Sequence, residues 1–272
     1  MLKVNMAKML PKRKASAHKG DYGKALIIAG SSGMSGAAIL AARGALRSGA
    51  GLTYLAVPKA LVDLVDLATP EVITLPFEKV GSIQADAIAI GPGLGVSHNT
   101  AKILSSLVAG FTSLVIDADG LNTLAKDKNL LAKFKNRKNL IFTPHPGEMS
   151  RLIGKSVEHV QQNREAVAKA AARDFGCIIV LKGYRTVIAD PKGNLYLNKT
   201  GNPGMASGGI GDVLTGMITG FLAQGLSSWE ASVLAVDLHG LAGDLAAKDK
   251  GEYGMIASDL VRKIPYAIQK SR

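Results

Sequence analysis

The stretch Gly201-Asn-Pro-Gly-Met-Ala-Ser-Gly-Gly-Ile-Gly-Asp212 runs from a glycine-rich loop into the apolar, helix-like segment Val213-Leu-Thr-Gly-Met-Ile218. Glycines let a backbone approach a bound group closely and turn its N–H groups inward. The start of a helix adds unpaired N–H donors and a partial positive charge, and this combination binds phosphate. Because a carboxylate is repelled by phosphate, we interpret Asp212 as a proton acceptor directed at a hydroxyl group.

Upstream of this loop, short apolar runs alternate with longer helical patterns. The predicted strands are 25–29, 52–57, 87–90, 114–117, 140–143 and 178–181. The runs are continuous, which is typical of strands covered on both faces, and the intervening helices imply right-handed crossovers in a parallel sheet. Residues 186–189 and 195–197 flank Asp190-Pro-Lys-Gly-Asn194, which predicts a hairpin and hence an antiparallel edge. Beyond residue 209 the sequence predicts helices over 213–222, 229–247 and 258–268.

The chain has 272 residues, with no recognisable linker or internal repeat. We therefore predict one doubly wound α/β domain over residues 25–272, preceded by a basic N-terminal extension over residues 1–24. The net charge is +12, and the extension contributes strongly to it. Such a charge favours a solvated basic tail, attraction for a polyanionic small molecule, or nucleic-acid binding. No zinc-finger spacing or RNA-binding signature is present, so no nucleic acid is expected.

Cys177 is the single cysteine, and it begins the apolar run Cys177-Ile-Ile-Val-Leu181. This position predicts a packed, inert thiol. A single cysteine also excludes an intramolecular disulfide. No apolar run has the length of a membrane span, and the basic N-terminus lacks the apolar core of a signal peptide. We therefore expect a cytoplasmic protein without membrane association.

Several chemistry-bearing segments follow predicted strands directly. They are Gly30-Ser-Ser-Gly-Met-Ser-Gly36, Gly91-Pro-Gly-Leu-Gly95, Pro144-His-Pro-Gly-Glu148 and Lys182-Gly183, after the first, third, fifth and sixth predicted strands. In doubly wound sheets, ligands bind beyond the carboxyl ends of the strands. The topology therefore predicts that these segments converge.

Each segment also has a purely structural interpretation. Residues 91–95 are too short for a dinucleotide fingerprint and form no Walker A loop, so they fit a tight turn equally well. The small residues of 30–37 either make room for a ligand or permit close helix packing. Residues 182–186 could embrace a nucleotide through cations and backbone amides.

Three acidic positions and one histidine leave alternatives open. His145 could donate a hydrogen bond to substrate or satisfy a turn. Glu148 could hold water on magnesium, or be an acid favoured by the helix dipole in the first turn. Asp117 and Asp119 could cap a helix or face the substrate.

The motifs together resemble the ADP/ATP-dependent NAD(P)H-hydrate dehydratases, a branch of the ribokinase-like superfamily. The matching segments occur in the family's order and span most of the chain: His18-Lys-Gly-Asp-Tyr-Gly23, Gly30 to Ala38, Gly91 to Gly95, Asp117-Ala-Asp-Gly-Leu-Asn122, Thr143 to Glu148, Val180 to Gly183 and Gly201 to Gly216. The resemblance implies a ribokinase-like three-layer α/β/α sandwich with a mostly parallel central sheet. It also implies repair of the 6S hydrates of NADH and NADPH (NADHX and NADPHX), with ADP as co-substrate and AMP and phosphate as products. The segment 144–148 looks like that of the ADP-using branch.

The resemblance carries residue roles onto this sequence. The residues expected to contact the hydrate are Ala37, Gly93, His145 and Asp212. Those expected to contact the adenine nucleotide are Lys182, Gly183, Tyr184, Arg185, Thr186, Gly208, Gly209 and Gly211. Asp212 is the expected general base, the amides from Gly208 to Gly211 are the expected anion cradle, and Mg²⁺ is the expected cofactor.

One departure from the family concerns the loop, which usually reads Gly-Gly-Thr-Gly-Asp but carries Ile210 here in place of threonine. A hydroxyl contact is lost, while a backbone cradle does not need it. Some family members carry an N-terminal epimerase domain, and residues 1–24 are too few for one. A separate epimerase is therefore expected, as is a homotetramer.

Two other functions fit part of the pattern. A vitamin-precursor kinase of the same fold would share the cradle and the aspartate but would retain a phosphorylated product. A non-catalytic nucleotide or nucleic-acid binder would explain the charge of +12 but not Asp212 beside the loop.

Overall fold

The structure is a computed structural model that describes residues 6–10, 12–110, 112–135 and 137–272. In this part of the chain the backbone forms a nine-stranded sheet with the order β3-β2-β1-β4-β5-β6-β7-β8-β9. The strands are β1 Lys24–Ile28, β2 Leu52–Val57, β3 Ile73–Pro76, β4 Ala87–Ile90, β5 Ser113–Ile116, β6 Leu140–Phe142, β7 Ile178–Leu181, β8 Val187–Ala189 and β9 Leu195–Leu197.

The sheet is parallel from β3 through β7 and antiparallel at its β8 and β9 edge. Its strand order reverses beside β1, which pairs with β2 on one side and β4 on the other; Ile28 lies opposite both Ala56 and Ile90. The mostly parallel sheet with an antiparallel edge is therefore confirmed. The reversal also creates the crevice in which ligands of such sheets bind.

The described helices are α1 Met6–Met9, α2 Ser35–Arg47, α3 Val62–Ala68, α4 His98–Ser106, α5 Ala118–Lys126, α6 Lys128–Phe134, α7 Pro146–Ile153, α8 Val157–Gln162, α9 Arg164–Phe175, α10 Ile210–Ala223, α11 Ser228–Gly254 and α12 Ala257–Lys270. They cover both faces of the sheet and give two apolar cores. Along β1, Ile27 packs into the core with α2, α10, α11 and α12, whereas Leu26 and Ile28 pack into the core with α4 to α9. This alternation produces the three layers.

The sequence prediction missed one strand. Between the predicted second and third strands lies β3, which is short, carries Ile73 at 44% exposure and ends at Pro76. An edge strand has only one paired side and tolerates proline, so it lacks the continuous apolar run of a central strand. The predicted third strand is consequently β4, and the predicted strands after it are β5, β6 and β7.

The predicted extension over residues 1–24 is only partly described, since residues 1–5 and 11 lie outside the described ranges. In its described part, Leu10 is 7% exposed and belongs to a core. Arg13 donates from Nη2 to the carbonyl of Gly49 at 2.5 Å, and its guanidinium lies 4.1 Å from the ring centre of Tyr22. This part is packed against the rest of the protein, which differs from a solvated tail. Within the described ranges no helix is both long enough and apolar enough to cross a membrane.

Glycines allow α10 to lie directly on α2. A Cβ atom on Gly216 would overlap the carbonyl oxygen of Ala41, and one on Gly44 would overlap that of Val213. The two backbones therefore touch without side chains between them. Because Asp212 lies in the first turn of α10, this contact fixes where its carboxylate points.

We predict that Gly216→Ala destabilises the protein by about 2 kcal/mol. Overpacking against backbone costs up to about 3 kcal/mol, and removing a helix glycine returns about 1 kcal/mol. The melting temperature should fall by several degrees. Gly36→Ala is the matched control, because a Cβ on this α2 glycine meets nothing within 4 Å. Equal melting temperatures for the two variants would contradict the close contact.

Candidate active site

The predicted convergence of loops is present at the carboxyl ends of the parallel strands. The N–H of Gly30, after β1, donates to the carbonyl of Pro92, after β4, at 2.8 Å. Ser31 Oγ donates to the Gly93 carbonyl at 2.7 Å. On the other side, the Lys182 N–H after β7 donates to the Pro144 carbonyl after β6 at 2.8 Å. Hydrogen bonds thus join the loop after β1 to the loop after β4, and the loop after β6 to the loop after β7, at the same edge of the sheet.

Ala37 and Gly93 lie against each other at this edge. A Cβ atom built on Gly93 would stand 3.0 Å from the Cβ of Ala37, and Gly93 has a positive φ of 63°. A side chain on Gly93 is therefore excluded by both space and backbone conformation. The pair gives a small-residue wall at the start of α2, as expected for close approach of a flat group.

Asp212 lies in the first turn of α10, directly after the glycine loop, and is partly buried. Burial, then the charge of Asp117, raises its pKa to about 7; Glu148 and Asp119 add to the rise, while Lys182 opposes it. A carboxyl whose pKa is near 7 can both accept and donate a proton at physiological pH, which suits a general base or acid.

The cation opposing that rise is held by a buried carboxylate. Lys182 Nζ lies 2.5 Å from Asp117 Oδ1 and 3.9 Å from Glu148 Oε2. The second oxygen of Asp117, Oδ2, accepts from Thr215 Oγ1 at 2.7 Å. Burial acts to lower the pKa of Lys182, but the carboxylates of Asp117, Glu148 and Asp212 outweigh it, and the pKa is raised. Lys182 is therefore protonated.

Asp117 does not cap α5 with its side chain, although it occupies the N-cap position. Its side chain is 1% exposed and is used by Lys182 and Thr215. The side-chain capping interpretation is therefore wrong for Asp117. Asp119 instead accepts from the Gly95 N–H through Oδ2 at 2.8 Å and so fixes the loop after β4.

His145 and Glu148 form a capping box at the start of α7. The Gly147 N–H donates to His145 Nδ1 at 3.0 Å, and the His145 N–H donates to Glu148 Oε2 at 2.8 Å. His145 Nε2 lies 3.1 Å from Glu148 Oε1, so a neutral ring protonated at Nε2 satisfies both contacts. The structural alternatives for both residues are thus confirmed, and the His145 side chain stays half exposed.

The glycine loop reaches α10 through a residue in the left-handed region. Gly209 has a φ of 85°, and a Cβ there would overlap Leu40. Gly208 meets nothing within 4 Å, and a Cβ on Gly211 would stand 3.4 Å from Lys182 Nζ. Ile210 is 6% exposed and packs in the core, so the family's threonine is replaced here by a side chain directed inward.

His239 supports this loop from α11, and sequence reasoning missed it. Its Nε2 lies 2.9 Å from the Ile210 carbonyl, which can only accept, so Nε2 carries the proton. Burial lowers its pKa to about 4, and the ring is neutral at physiological pH. The signal available in the sequence is one histidine within the stretch 231–242, in which the other polar side chains are only Ser232 and Asp237.

The loop before the cradle is fixed to α11 by two acids that were also missed. The Gly201 N–H and the Asn202 amide each donate to Asp244 at 3.0 Å. Tyr196 donates to Asp237 at 3.0 Å. Asp237 and Asp244 are seven residues apart on α11, which places them on one helix face and is the signal that could have indicated them.

The predicted nucleotide segment 183–186 lies at the start of the β7–β8 connection. Tyr184 is 85% exposed, and the Arg185 guanidinium lies 5.4 Å from its ring centre. Thr186 Oγ1 donates to the Gly183 carbonyl at 3.1 Å. Arg164 of α9 holds the base of the segment by donating to the Leu181 carbonyl at 2.9 Å. An exposed aromatic–guanidinium pair beside the cradle offers a surface on which a base can stack.

The described residues include no cluster of three or more histidine, cysteine or acidic side chains arranged to hold a metal ion. The oxygens of Asp117 and Glu148 are already used by Lys182, Thr215 and His145. These residues do not fit a resident magnesium site. A magnesium ion bound mainly by phosphates and water needs no such cluster.

The geometry therefore combines three elements: a glycine loop that begins a helix without a side-chain cap, a carboxyl whose pKa is raised to about 7, and a cation close to the loop. This set suits transfer of a phosphoryl group to a hydroxyl. Cys177 takes no part, since it is 3% exposed and burial raises the pKa of its thiol, which confirms an inert thiol.

Relatives that are similar in sequence are named for the repair or dehydration of NAD(P)H hydrates. The bifunctional NAD(P)H-hydrate repair enzyme Nnr of Moorella thermoacetica is 43% identical over 96% of this chain, which spans 52% of that relative's length. The ADP-dependent (S)-NAD(P)H-hydrate dehydratase of Bacillus subtilis is 37% identical, with 94% of this chain and 92% of the relative covered.

A solved structure agrees with them in fold. The ADP/ATP-dependent NAD(P)H-hydrate dehydratase from Bacillus subtilis, co-crystallized with ATP/Mg²⁺, superposes with a TM-score of 0.87 at 33% identity, covering 98% of this chain and 96% of that one. The ribokinase-like fold expected from the motifs is thereby confirmed. The sequence model of the NAD(P)H-hydrate dehydratases matches residues 25–266. This chain belongs to the NAD(P)H-hydrate dehydratase family.

Proposed function

We propose that this protein is an ADP-dependent (S)-NAD(P)H-hydrate dehydratase. It converts the 6S hydrates of NADH and NADPH back to NADH and NADPH, with ADP consumed and AMP and phosphate released. The observation that carries the proposal is the placement of Asp212, whose pKa is about 7, in the first turn of α10 directly after the glycine loop. Family relatives named for the same reaction support it.

The first step makes a leaving group. Hydroxide leaves poorly from the hydrated ring, so its oxygen is phosphorylated first. Asp212 accepts the hydroxyl proton while that oxygen attacks the terminal phosphorus of ADP, and the bond to AMP breaks. The amides of Gly208, Gly209 and Gly211 stabilise the charge on the transferring group, with the helix start behind them.

The second step restores the ring. The nitrogen lone pair of the reduced nicotinamide ring expels phosphate from the carbon that bore the hydroxyl, and the neighbouring carbon loses a proton. AMP from the first step and inorganic phosphate from the second step therefore leave with the restored NADH or NADPH. A kinase of the same fold would stop after the first step.

The remaining residue roles follow the arrangement of the site. Ala37 and Gly93 accept the ring of the hydrate, and the half-exposed side chain of His145 contacts the hydrate beside it. Tyr184 and Arg185 stack on adenine, and Lys182, Gly183 and Thr186 contact the nucleotide from beneath. Their support is the small-residue wall, the half-exposed imidazole and the exposed aromatic–guanidinium pair described above.

Magnesium belongs to the proposal as a companion of the nucleotide. When bound, it neutralises phosphate charge. The chain's own contribution is the amide cradle and the Lys182 ammonium, because its carboxylates are engaged elsewhere.

The wider assignment comprises a catalytic domain over residues 25–272, a homotetramer in the cytoplasm and a separate epimerase for the other epimer. The homotetramer and the epimerase follow from the resemblance to the family, and the domain bounds follow from the sequence pattern. The Moorella relative is bifunctional, and this chain matches about half of it.

The decisive experiment incubates enzymically hydrated NADH with the protein, magnesium and either ADP or ATP. We expect recovery of the reduced-cofactor absorbance with ADP, together with one free phosphate per NADH formed. A phosphorylated hydrate that accumulates without NADH would identify a kinase instead. Binding of DNA or RNA without any nucleotide turnover would identify a non-catalytic binder.

We predict that Asp212→Asn lowers kcat at least about a hundredfold, because it keeps the shape of the side chain and removes the base. Binding of ADP, measured by calorimetry, should persist. Asp63→Asn serves as the control, since Asp63 is also a first-turn aspartate but is exposed on α3. Near-normal turnover in Asp212→Asn would exclude the assigned role.

The pH dependence follows from the same carboxyl. Burial and Asp117 raise the pKa of Asp212 to about 7, so the base is protonated and inactive at lower pH. We expect kcat/KM to rise about tenfold per pH unit below pH 7 and to level off above it. A profile that is flat between pH 5 and pH 8 would contradict a base with this pKa.

A further inference from the structure

Thr215 and Asp117 have no part in the steps above, yet both are buried at the centre of the site. Asp117 is 1% exposed and Thr215 is fully buried. Thr215 lies three residues after Asp212 on α10, so it follows on the same side of the helix. Its hydroxyl donates to Asp117 Oδ2 at 2.7 Å, while Asp117 Oδ1 faces Lys182 Nζ at 2.5 Å.

These contacts form one chain from α10 through β5 to β7. Thr215 belongs to α10, Asp117 follows β5, and Lys182 follows β7. The chain ends beneath the glycine loop, since a Cβ on Gly211 would stand 3.4 Å from Lys182 Nζ. The flexible side chain of Lys182 is thereby held by the carboxylate of Asp117, which is in turn held by the hydroxyl of Thr215.

We propose that Thr215 and Asp117 are positioning residues for the reaction: together they hold the Lys182 ammonium beneath the glycine loop, where its charge acts on Asp212. The proposal rests on the function proposed above and deepens it. Lys182 then has a task beyond contact with the nucleotide, and Thr215 has one that no matching motif assigns.

The charges around Asp212 explain why a fixed cation matters. The groups that act on it from the surrounding elements are Asp117, Asp119, Glu148 and Lys182. His145 contacts Glu148, and His239 contacts the Ile210 carbonyl. Three of these groups are carboxylates, and only Lys182 favours the ionised form of Asp212. Without a held ammonium, Asp212 would keep its proton at neutral pH and could not serve as a base.

The fold offers a matched pair of variants. Thr215→Val removes the hydroxyl that holds Asp117 and leaves every charge in place. Thr219→Val removes an equally buried hydroxyl one turn later on α10, whose bond goes to the Thr215 carbonyl at 2.7 Å instead. Both variants lose one buried hydrogen bond of a threonine hydroxyl, but only Thr215→Val takes a donor from the buried carboxylate of Asp117.

The test titrates the side-chain carboxyls of the free protein by ¹³C NMR, with the Asp212 signal identified by its loss in Asp212→Asn. We expect the pKa of Asp212 to rise in Thr215→Val and to match the wild type in Thr219→Val. Lys182→Met should raise it further, by about one pH unit or more. If Lys182→Met does not fold, the two threonine variants decide alone.

Identical titrations in the two threonine variants, or a pKa of Asp212 that does not rise in Lys182→Met, would overturn the proposal. Turnover supplies the second readout: kcat at neutral pH should fall about fivefold in Thr215→Val and stay close to the wild-type value in Thr219→Val. The titration needs no substrate. Failure of the dehydratase assay in the wild type would therefore refute the proposed function separately from this coupling.

Discussion

The buried ion pair between Lys182 and Asp117 is the interaction on which the site depends. Taking both charges out of water is expensive, and such a pair is stable only when its remaining hydrogen-bonding capacity is used. Here Thr215 uses the second oxygen of Asp117, and Glu148 lies 3.9 Å from the ammonium. The pair joins the ends of β5 and β7 to α10, so the loops on these elements share one reference point.

The cluster around this pair is negatively charged overall, because one ammonium faces several carboxylates. A phosphate-binding surface built this way cannot rely on side-chain cations for its affinity. The donors must instead be backbone amides, which carry partial positive charge without competing for the buried acids. This explains why the loop is rich in glycine, and why Ile210 can replace a hydroxyl-bearing residue: its side chain is buried in the core, while its backbone continues the cradle.

The central strands of the sheet could be predicted from the sequence because buried parallel strands are continuous apolar runs. The topology of such a sheet then predicts that the loops after these strands lie together. The edge strand β3 was not predicted, because an edge strand with Ile73 exposed and Pro76 at its end lacks the continuous apolar run of a central strand.

The contacts between site residues could not be predicted for another reason. Asp117 and Lys182 are 65 residues apart and Thr215 is 98 residues from Asp117, so no local spacing joins them. The pKa of Asp212 depends on burial and on charges from four elements, which only the folded arrangement supplies.

Helix α10 links the stability of the fold to its chemistry. Its first turn carries the cradle and Asp212, Thr215 faces Asp117, and Gly216 lies on the backbone of α2. A shift of α10 along α2 would break the hydrogen bond from Thr215 to Asp117 and would also move the carboxyl of Asp212. The position of α10 is therefore fixed by both its packing and its site contacts. The exposed pair Tyr184 and Arg185 is under no such constraint. Substitutions at this exposed segment would therefore change the proposed nucleotide contacts while the acid and its cation keep their geometry.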